Sequence, residues 1–347
     1  MLFFSCIIPS MRRILVIIIV VLTVSLIISR FTEIQTIVET LQNANLRFFV
    51  IAVGLQFLWF LGLANVYRTL YRIMGIDEQI RHLAGVAVSA NFINVVAPSG
   101  GVGGMAIFVS DADKRGHPHG RVLAVSALYV FLDYIAFLTV LAAGFVVLLR
   151  RNILNSGEIT AALILLTVVI VLGWLILTGV RSPEKFGQVL GKIFRGANNL
   201  LRPILRRDYM HEEQAYLFAA EVADGLAVLR TEHKSLVRPL FYLILNFMIQ
   251  MSILAFCFLS FDVAFTLGTV VAGFAFGYLF LIVSPTPSGI GIVEGGMPIM
   301  LTSLRVPFEQ GLIVTLAYRA VTFWMPLGLG AIAFRFSQKR KSKPDPG

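Results

Sequence analysis

The chain has 347 residues, 57% of them apolar and 14% charged, with a net charge of +10 and a mean hydropathy of +0.84. A soluble globular chain carries roughly 45–50% apolar and about 25% charged residues, so the composition excludes a soluble enzyme and indicates an integral membrane protein. The positive charge would point to nucleic acid in a soluble chain; here it is the expected surplus of Lys and Arg in cytoplasmic loops. Cys6 and Cys257 lie far apart in apolar surroundings and fit neither a CxxC pair nor a disulfide framework.

The first predicted element follows Met11, where Arg12 and Arg13 precede an apolar run in the manner of a retained signal anchor. Apolar spans are predicted at 14–29, 48–66, 122–149, 160–180, 238–260, 264–283 and 311–335. Two further apolar segments, 82–109 and 287–304, are interrupted by Pro and Gly. A polar stretch occupies 181–235, and the tail at 336–347 is basic. The fold class is therefore an all-α integral membrane protein, with about eight transmembrane helices and two Pro/Gly-broken segments. It forms one polytopic membrane domain over 1–347, with its core at 14–335 and a cytoplasmic insertion at 181–235.

Lys and Arg set the orientation. Arg12 and Arg13, the loops holding Arg68, Arg72 and Arg81 and then Lys114, Arg115 and Arg121, the polar stretch and the tail all belong in the cytoplasm. One arrangement satisfies them: 82–109 enters and leaves on the same side, 287–304 crosses, and both termini of this inner-membrane protein lie in the cytoplasm. Arg150 and Arg151 then fall outside, against the rule. Within the polar stretch, Phe186, Val189, Leu190, Ile193, Phe194, Ala197, Leu200 and Leu201 keep helical spacing beside Lys185, Lys192, Arg195 and Arg202. This is a basic amphipathic helix, suited either to anionic headgroups or to packing on the bundle. A more acidic helix at about 212–230 is expected to fold back against it.

The two interrupted segments share a pattern. "NFINVVAPSGGVGGMAIF" and "LIVSPTPSGIGIVEGGMPIM" both carry Pro-Ser-Gly followed by Gly-Gly-Met. Pro removes a backbone donor, and Gly adopts turns that other residues do not. The freed backbone groups must be buried in protein or line a cavity, as in transporters built from repeats with broken helices. Close helix packing through small residues is the competing explanation. The candidate substrate-binding residues are Asn91, Asn94, Pro98, Ser99, Gly100, Gly101, Gly103 and Gly104 in the first segment. In the second they are Pro287, Ser288, Gly289, Gly291, Glu294 and Gly295.

Asp133 and Arg319 complete the set, each inside a span. A charge at the membrane centre costs about 2.5–3.5 kcal/mol on insertion scales, so Asp133, Glu294 and Arg319 are expected to face the bundle or a wet cavity. Glu294 with Arg319 is the expected pair. It either serves a lipid phosphate and headgroup or locks two helices together. Asn246 and Gln250 suit interhelical hydrogen bonds or ligand contacts equally. Tyr134, Tyr278 and Tyr318 read as packing residues. No GxxxxGK[ST], HExxH or GxSxG motif occurs. The five histidines show no clustering beyond His117 and His119. No cofactor, metal site or enzymatic activity is expected.

From the second break onward, "PTPSGIGIVEGG", a turn near "VPFEQG" and "AYRAVTFWMPLGLGAI" resemble the Pro-x-Gly-x-Gly-x-x-Glu segment of the lysylphosphatidylglycerol synthase transmembrane-region family, together with the Arg–aromatic–Pro–Gly helix that follows it there. The first half, with "APSGGVGG", a basic loop and the span carrying Asp133, is similar more loosely; "MAIF" stands where some relatives carry charges. The resemblance covers about 14–335. It implies a flippase-like domain that moves a phospholipid, glycolipid or polyprenyl-linked lipid between leaflets, with membrane lipids as partners. Fused relatives place a synthase domain after the membrane part, whereas here a basic tail leads to Gly347. An intramembrane headgroup transferase using Asp133 and Glu294, and a scaffold for a lipid-modifying enzyme, are the rival readings.

Overall fold

In a computed structural model, residues 44–330 are described apart from 97–101, 155, 183, 193–194, 196–211 and 285. The expected first span at 14–29 lies outside the described residues. All regular elements among them are helical. We number the α-helices α1 (Leu46–Ile73), α2 (Ile80–Val96), α3 (Val102–Lys114), α4 (His119–Arg151), α5 (Ser156–Arg181), α6 (Glu212–Ala227), α7 (Leu229–Glu232), α8 (Val237–Ser260), α9 (Leu267–Val283), α10 (Ile292–Ser303) and α11 (Phe308–Arg319). A π-helical turn at Ala320–Trp324 continues α11, and the helix runs on to Gly330.

Five of these helices are long and apolar enough to cross a membrane: Leu46–Ile73, His119–Arg151, Ser156–Arg181, Lys234–Ser260 and Phe308–Gly330. Their outer faces are oily. On α5, Leu163, Ile170 and Trp174 are more than half exposed, a pattern that suits lipid rather than water.

The centre is the antiparallel pair α1 and α8. Asn45 N–H donates to the Ser260 carbonyl at one end (2.7 Å), and Gly62 lies directly against Asn246 in the middle. The Asn45 side chain caps α1 by accepting from Arg47 N–H (3.2 Å), which fixes where the helix begins.

Both broken segments are helical hairpins. His82, near the start of α2, meets Asp111 near the end of α3 (2.7 Å), and Asn94 Oδ1 accepts from Gly104 N–H at the other end (2.6 Å). The chain therefore returns to the side it left, as expected for 82–109. In the second hairpin Gly273 adjoins Leu301, and Gly277 adjoins Met297, so α10 runs back along α9. With 17 and 12 residues, α9 and α10 measure about 25 and 18 Å against a hydrocarbon core of about 30 Å. The direction of 287–304 is the expected one, but its helix is too short for a full crossing, and the break lies at depth.

The hairpins start from opposite ends of the bundle. The first begins beside the end of α1 that carries Met74, where Arg121 Nη1 donates to the Met74 carbonyl (3.2 Å). The second begins at Thr266, beside Arg151 at the far end of α4. The order α1–hairpin–α4 thus recurs inverted as α8–hairpin–α11. The two hairpins meet: α2 packs against the turn at Pro287–Gly289, and Phe92 of α2 lies against Gly330 at the end of the last span.

Arg151 explains its exception to the charge rule. Its Nη1 donates to the Leu304 carbonyl (3.0 Å) and its Nη2 to Thr266 Oγ1 (2.9 Å), tying the two ends of the second hairpin together. The polar stretch packs on the bundle where it is described. Gly120 of α4 sits against the Glu221 carbonyl of α6, and Leu226 and Phe186 converge on Gly179 of α5. The acidic helix is present, folded mainly on α4, and Phe186 is buried, so this part of the basic helix packs on protein. Its continuation through Arg202 lies outside the described residues.

Candidate functional site

The second break is built around Arg319. Ser288 takes a left-handed conformation (φ 51°), Gly289 follows at φ 69° and Gly291 at φ 83°. A Cβ on Gly289 would strike Val293 and the Leu281 backbone, so only glycine fits this bend. Gly291 then starts α10, and its N–H donates to Glu294 Oε2 (2.8 Å). A carboxylate at the third helical position reaching back in this way suits the positive end of the helix.

The other oxygen of Glu294 accepts from Arg319 Nε (2.7 Å). Arg319 Nη2 donates to the Ser288 carbonyl (3.1 Å), a group freed by the broken backbone. The guanidinium lies over the Phe323 ring at 4.3 Å. Arg319 is 3% exposed and Glu294 12%. The expected pair therefore forms, and the π-turn that begins at Ala320 sits directly after the arginine. Beside it, Tyr318 donates to Gln250 Oε1 (3.0 Å), so Gln250 makes an interhelical bond. Asn246 Oδ1 is buried without a hydrogen-bond partner among the described residues.

Asp133 occupies the middle of α4 with four tyrosines within electrostatic reach: Tyr67, Tyr129, Tyr134 and Tyr278. No described residue hydrogen-bonds its carboxylate. Tyr67 stacks on Phe108 at 4.0 Å and on Tyr129 at 4.7 Å, and Tyr278 packs on Phe137 at 4.7 Å. Phe108 belongs to the first hairpin and Tyr278 to the second, so each hairpin contributes to an aromatic cluster near Asp133. Tyr278 does pack, as expected, and it also faces a carboxylate. Tyr67 and Tyr129 were not singled out by sequence; Tyr129 lies one helical turn before Asp133 on α4, whereas no spacing rule connects Tyr67 to it.

In the first hairpin Gly104 allows the Asn94 amide to close on the backbone. Asn91 is half-buried on α2, Gly103 lies in the first turn of α3, and Gly295 is open on α10. Pro287 begins the short turn. Pro98, Ser99, Gly100 and Gly101 lie outside the described residues.

The histidines correct the sequence reading. Glu78, 7% exposed, accepts from Arg115 Nη1 (3.1 Å) and His117 Nε2 (2.7 Å). His82 pairs with Asp111 and His119 with Asp113, so three of the five histidines gather where α1, α2, α3 and α4 meet. Folding brings together residues 29, 37 and 39 positions apart, which sequence spacing hides. Burial pushes the Glu78 carboxyl up, but the His117 hydrogen bond and the charges of Arg115 and His82 outweigh it and hold the group below the ordinary glutamate range. Among the described residues no group of His, Cys, Asp and Glu is arranged to hold a metal.

The sequence profile of the lysylphosphatidylglycerol synthase TM region matches residues 13–330. No curated protein matches the chain.

Proposed function

We propose, from the premise that this chain belongs to the lysylphosphatidylglycerol synthase TM-region family, that it carries lipids between the leaflets of the cell's inner membrane. Membership makes it a multi-pass membrane protein with a lipid-related role. The observation that carries the translocation reading is Arg319, buried at the second break and held by Glu294 and the Ser288 carbonyl. A lipid phosphate presents the same acceptors as these two oxygens and binds guanidinium bidentately. It exchanges for them, leaving Glu294 anchored to Gly291 N–H. The inverted pair of hairpins supports this, because broken helices meeting at depth form the sites of transporters with inverted repeats.

Both oxygens of Glu294 are engaged, which favours translocation over general acid or base work. The termini face the cytoplasm in this reading, as the Lys and Arg distribution requires.

The test is scrambling of a labelled phospholipid in proteoliposomes. Glu294→Gln and Arg319→Ala are expected to slow it by about tenfold or more, the loss of a charge-assisted contact. An apolar double variant, Glu294→Leu with Arg319→Met, separates function from a mere lock. Replacing a buried ion pair with apolar residues is often neutral for stability, so the double variant is expected to fold and fail to scramble. If it folds and scrambles like the parent protein, the pair only joins helices.

A further inference from the structure

We infer that the cleft between the end of α1 and the start of α8 is a binding site for the phosphate of an anionic lipid headgroup, separate from the broken-helix core. The cleft has a volume of about 800 Å³ and is lined by Arg68, Arg72, Lys234 and Arg238, with no carboxylate among the described residues of its wall. Four cations crowded together repel one another unless an anion joins them.

Arg68 carries the argument. Its Nε is buried and has no hydrogen-bond partner among the described residues. A buried donor on a charged group is costly to leave unmade, and here it borders an open cleft rather than a packed wall. Lys234 and Arg238 form no ion pair among the described residues. Arg238 lies 5.9 Å from the centre of the Tyr242 ring, a contact that leaves its N–H edge available. Among the described residues only Arg72 of the four has a carboxylate, Asp77 at 3.1 Å, and that pair is exposed, hence weak.

The rim identifies the source of the phosphate. Val237 is 69% exposed and Phe241 62% exposed, and both line the cleft. Two apolar side chains standing free beside a basic cavity, at the end of a membrane-spanning helix, match a molecule with a phosphate at one end and acyl chains at the other. Basic pockets between membrane helices hold anionic headgroups by this combination. Free phosphate shares the charge chemistry and makes no use of the rim.

Binding is an equilibrium property, so the test stands apart from translocation. The full chain is purified in detergent, and lipid adducts are counted by native mass spectrometry after adding phosphatidylglycerol or phosphatidylcholine, with and without inorganic phosphate. Phosphatidylglycerol is expected to be retained about tenfold better than phosphatidylcholine, and Arg68→Gln with Arg238→Gln to remove the difference. Asp77→Asn, which frees Arg72, is expected to raise retention about threefold and serves if the double variant does not fold. Unchanged retention in the double variant, or in Asp77→Asn where the double variant fails to fold, would overturn the site. Inorganic phosphate at millimolar level abolishing the adducts would overturn the lipid as the source.

Discussion

At the residue scale the chain resolves the cost of charge in two ways. Arg319 donates from Nε to the Glu294 carboxylate and from Nη2 to the Ser288 carbonyl that the broken backbone frees. Lys in its place keeps the charge but loses the planar fork. Arg319→Lys is therefore expected to lower the thermal midpoint, with a loss of about 1–3 kcal/mol, measurable by a fluorescence melt in detergent. Glu78 lies outside the spans. Because its pKa is held below the ordinary glutamate value, its contribution is present above that value and is lost as pH falls through the lowered one. The parent protein is expected to lose stability on acidification below about pH 4. Glu78→Gln is expected to flatten that dependence and cost about 1–3 kcal/mol at neutral pH; an unchanged melt profile from pH 3 to 7 would refute the role given to Glu78.

At the scale of elements, the contact between α1 and α8 depends on a missing side chain. A Cβ on Gly62 would collide with Asn246 Oδ1, so Gly62→Ala forces the amide aside and overpacks the pair at about 1–3 kcal/mol. Asn246→Ala is expected to restore most of that loss, and a double-mutant cycle reads the coupling; additive effects would place the strain elsewhere. The elements themselves were largely legible. Apolar runs located α1, α4, α5, α8, α9 and α11, because burial in lipid demands length and little else. Pro287, Gly289 and Gly291 announced the second break, since their backbone chemistry is local. The single-direction path of 287–304 was legible from charge, but its shortness was not: the apolar run continues through the turn, and only the φ angles at Ser288, Gly289 and Gly291 end the helix there.

At the scale of the molecule, the inverted arrangement puts the starts of the two hairpins on opposite sides. Cysteine labelling tests this in a Cys6→Ser background, with Cys257 buried. Lys114→Cys and Glu309→Cys, both at exposed positions, are expected to react with an impermeant maleimide from opposite faces of sealed vesicles, Lys114→Cys from the cytoplasmic one. Labelling of both from one face would refute the paired hairpins.

The sequence by itself determined the class, the five long apolar spans among the described residues, the second break and the pairing of Glu294 with Arg319. These follow from local rules: composition selects the solvent, Pro and Gly end helices, and a buried charge needs its opposite. Tertiary structure decided what depends on distance through space. It alone placed four tyrosines around Asp133, gathered His82, His117 and His119 with their carboxylates, and joined the end of α1 to the start of α8 in one basic cleft. Apart from Tyr129, Tyr134 and the pair of His119 with Asp113, those partners are separated along the chain by tens to more than a hundred residues, and no periodicity encodes such a meeting. The packing of α1 on α8 and of each hairpin on its neighbours sets it.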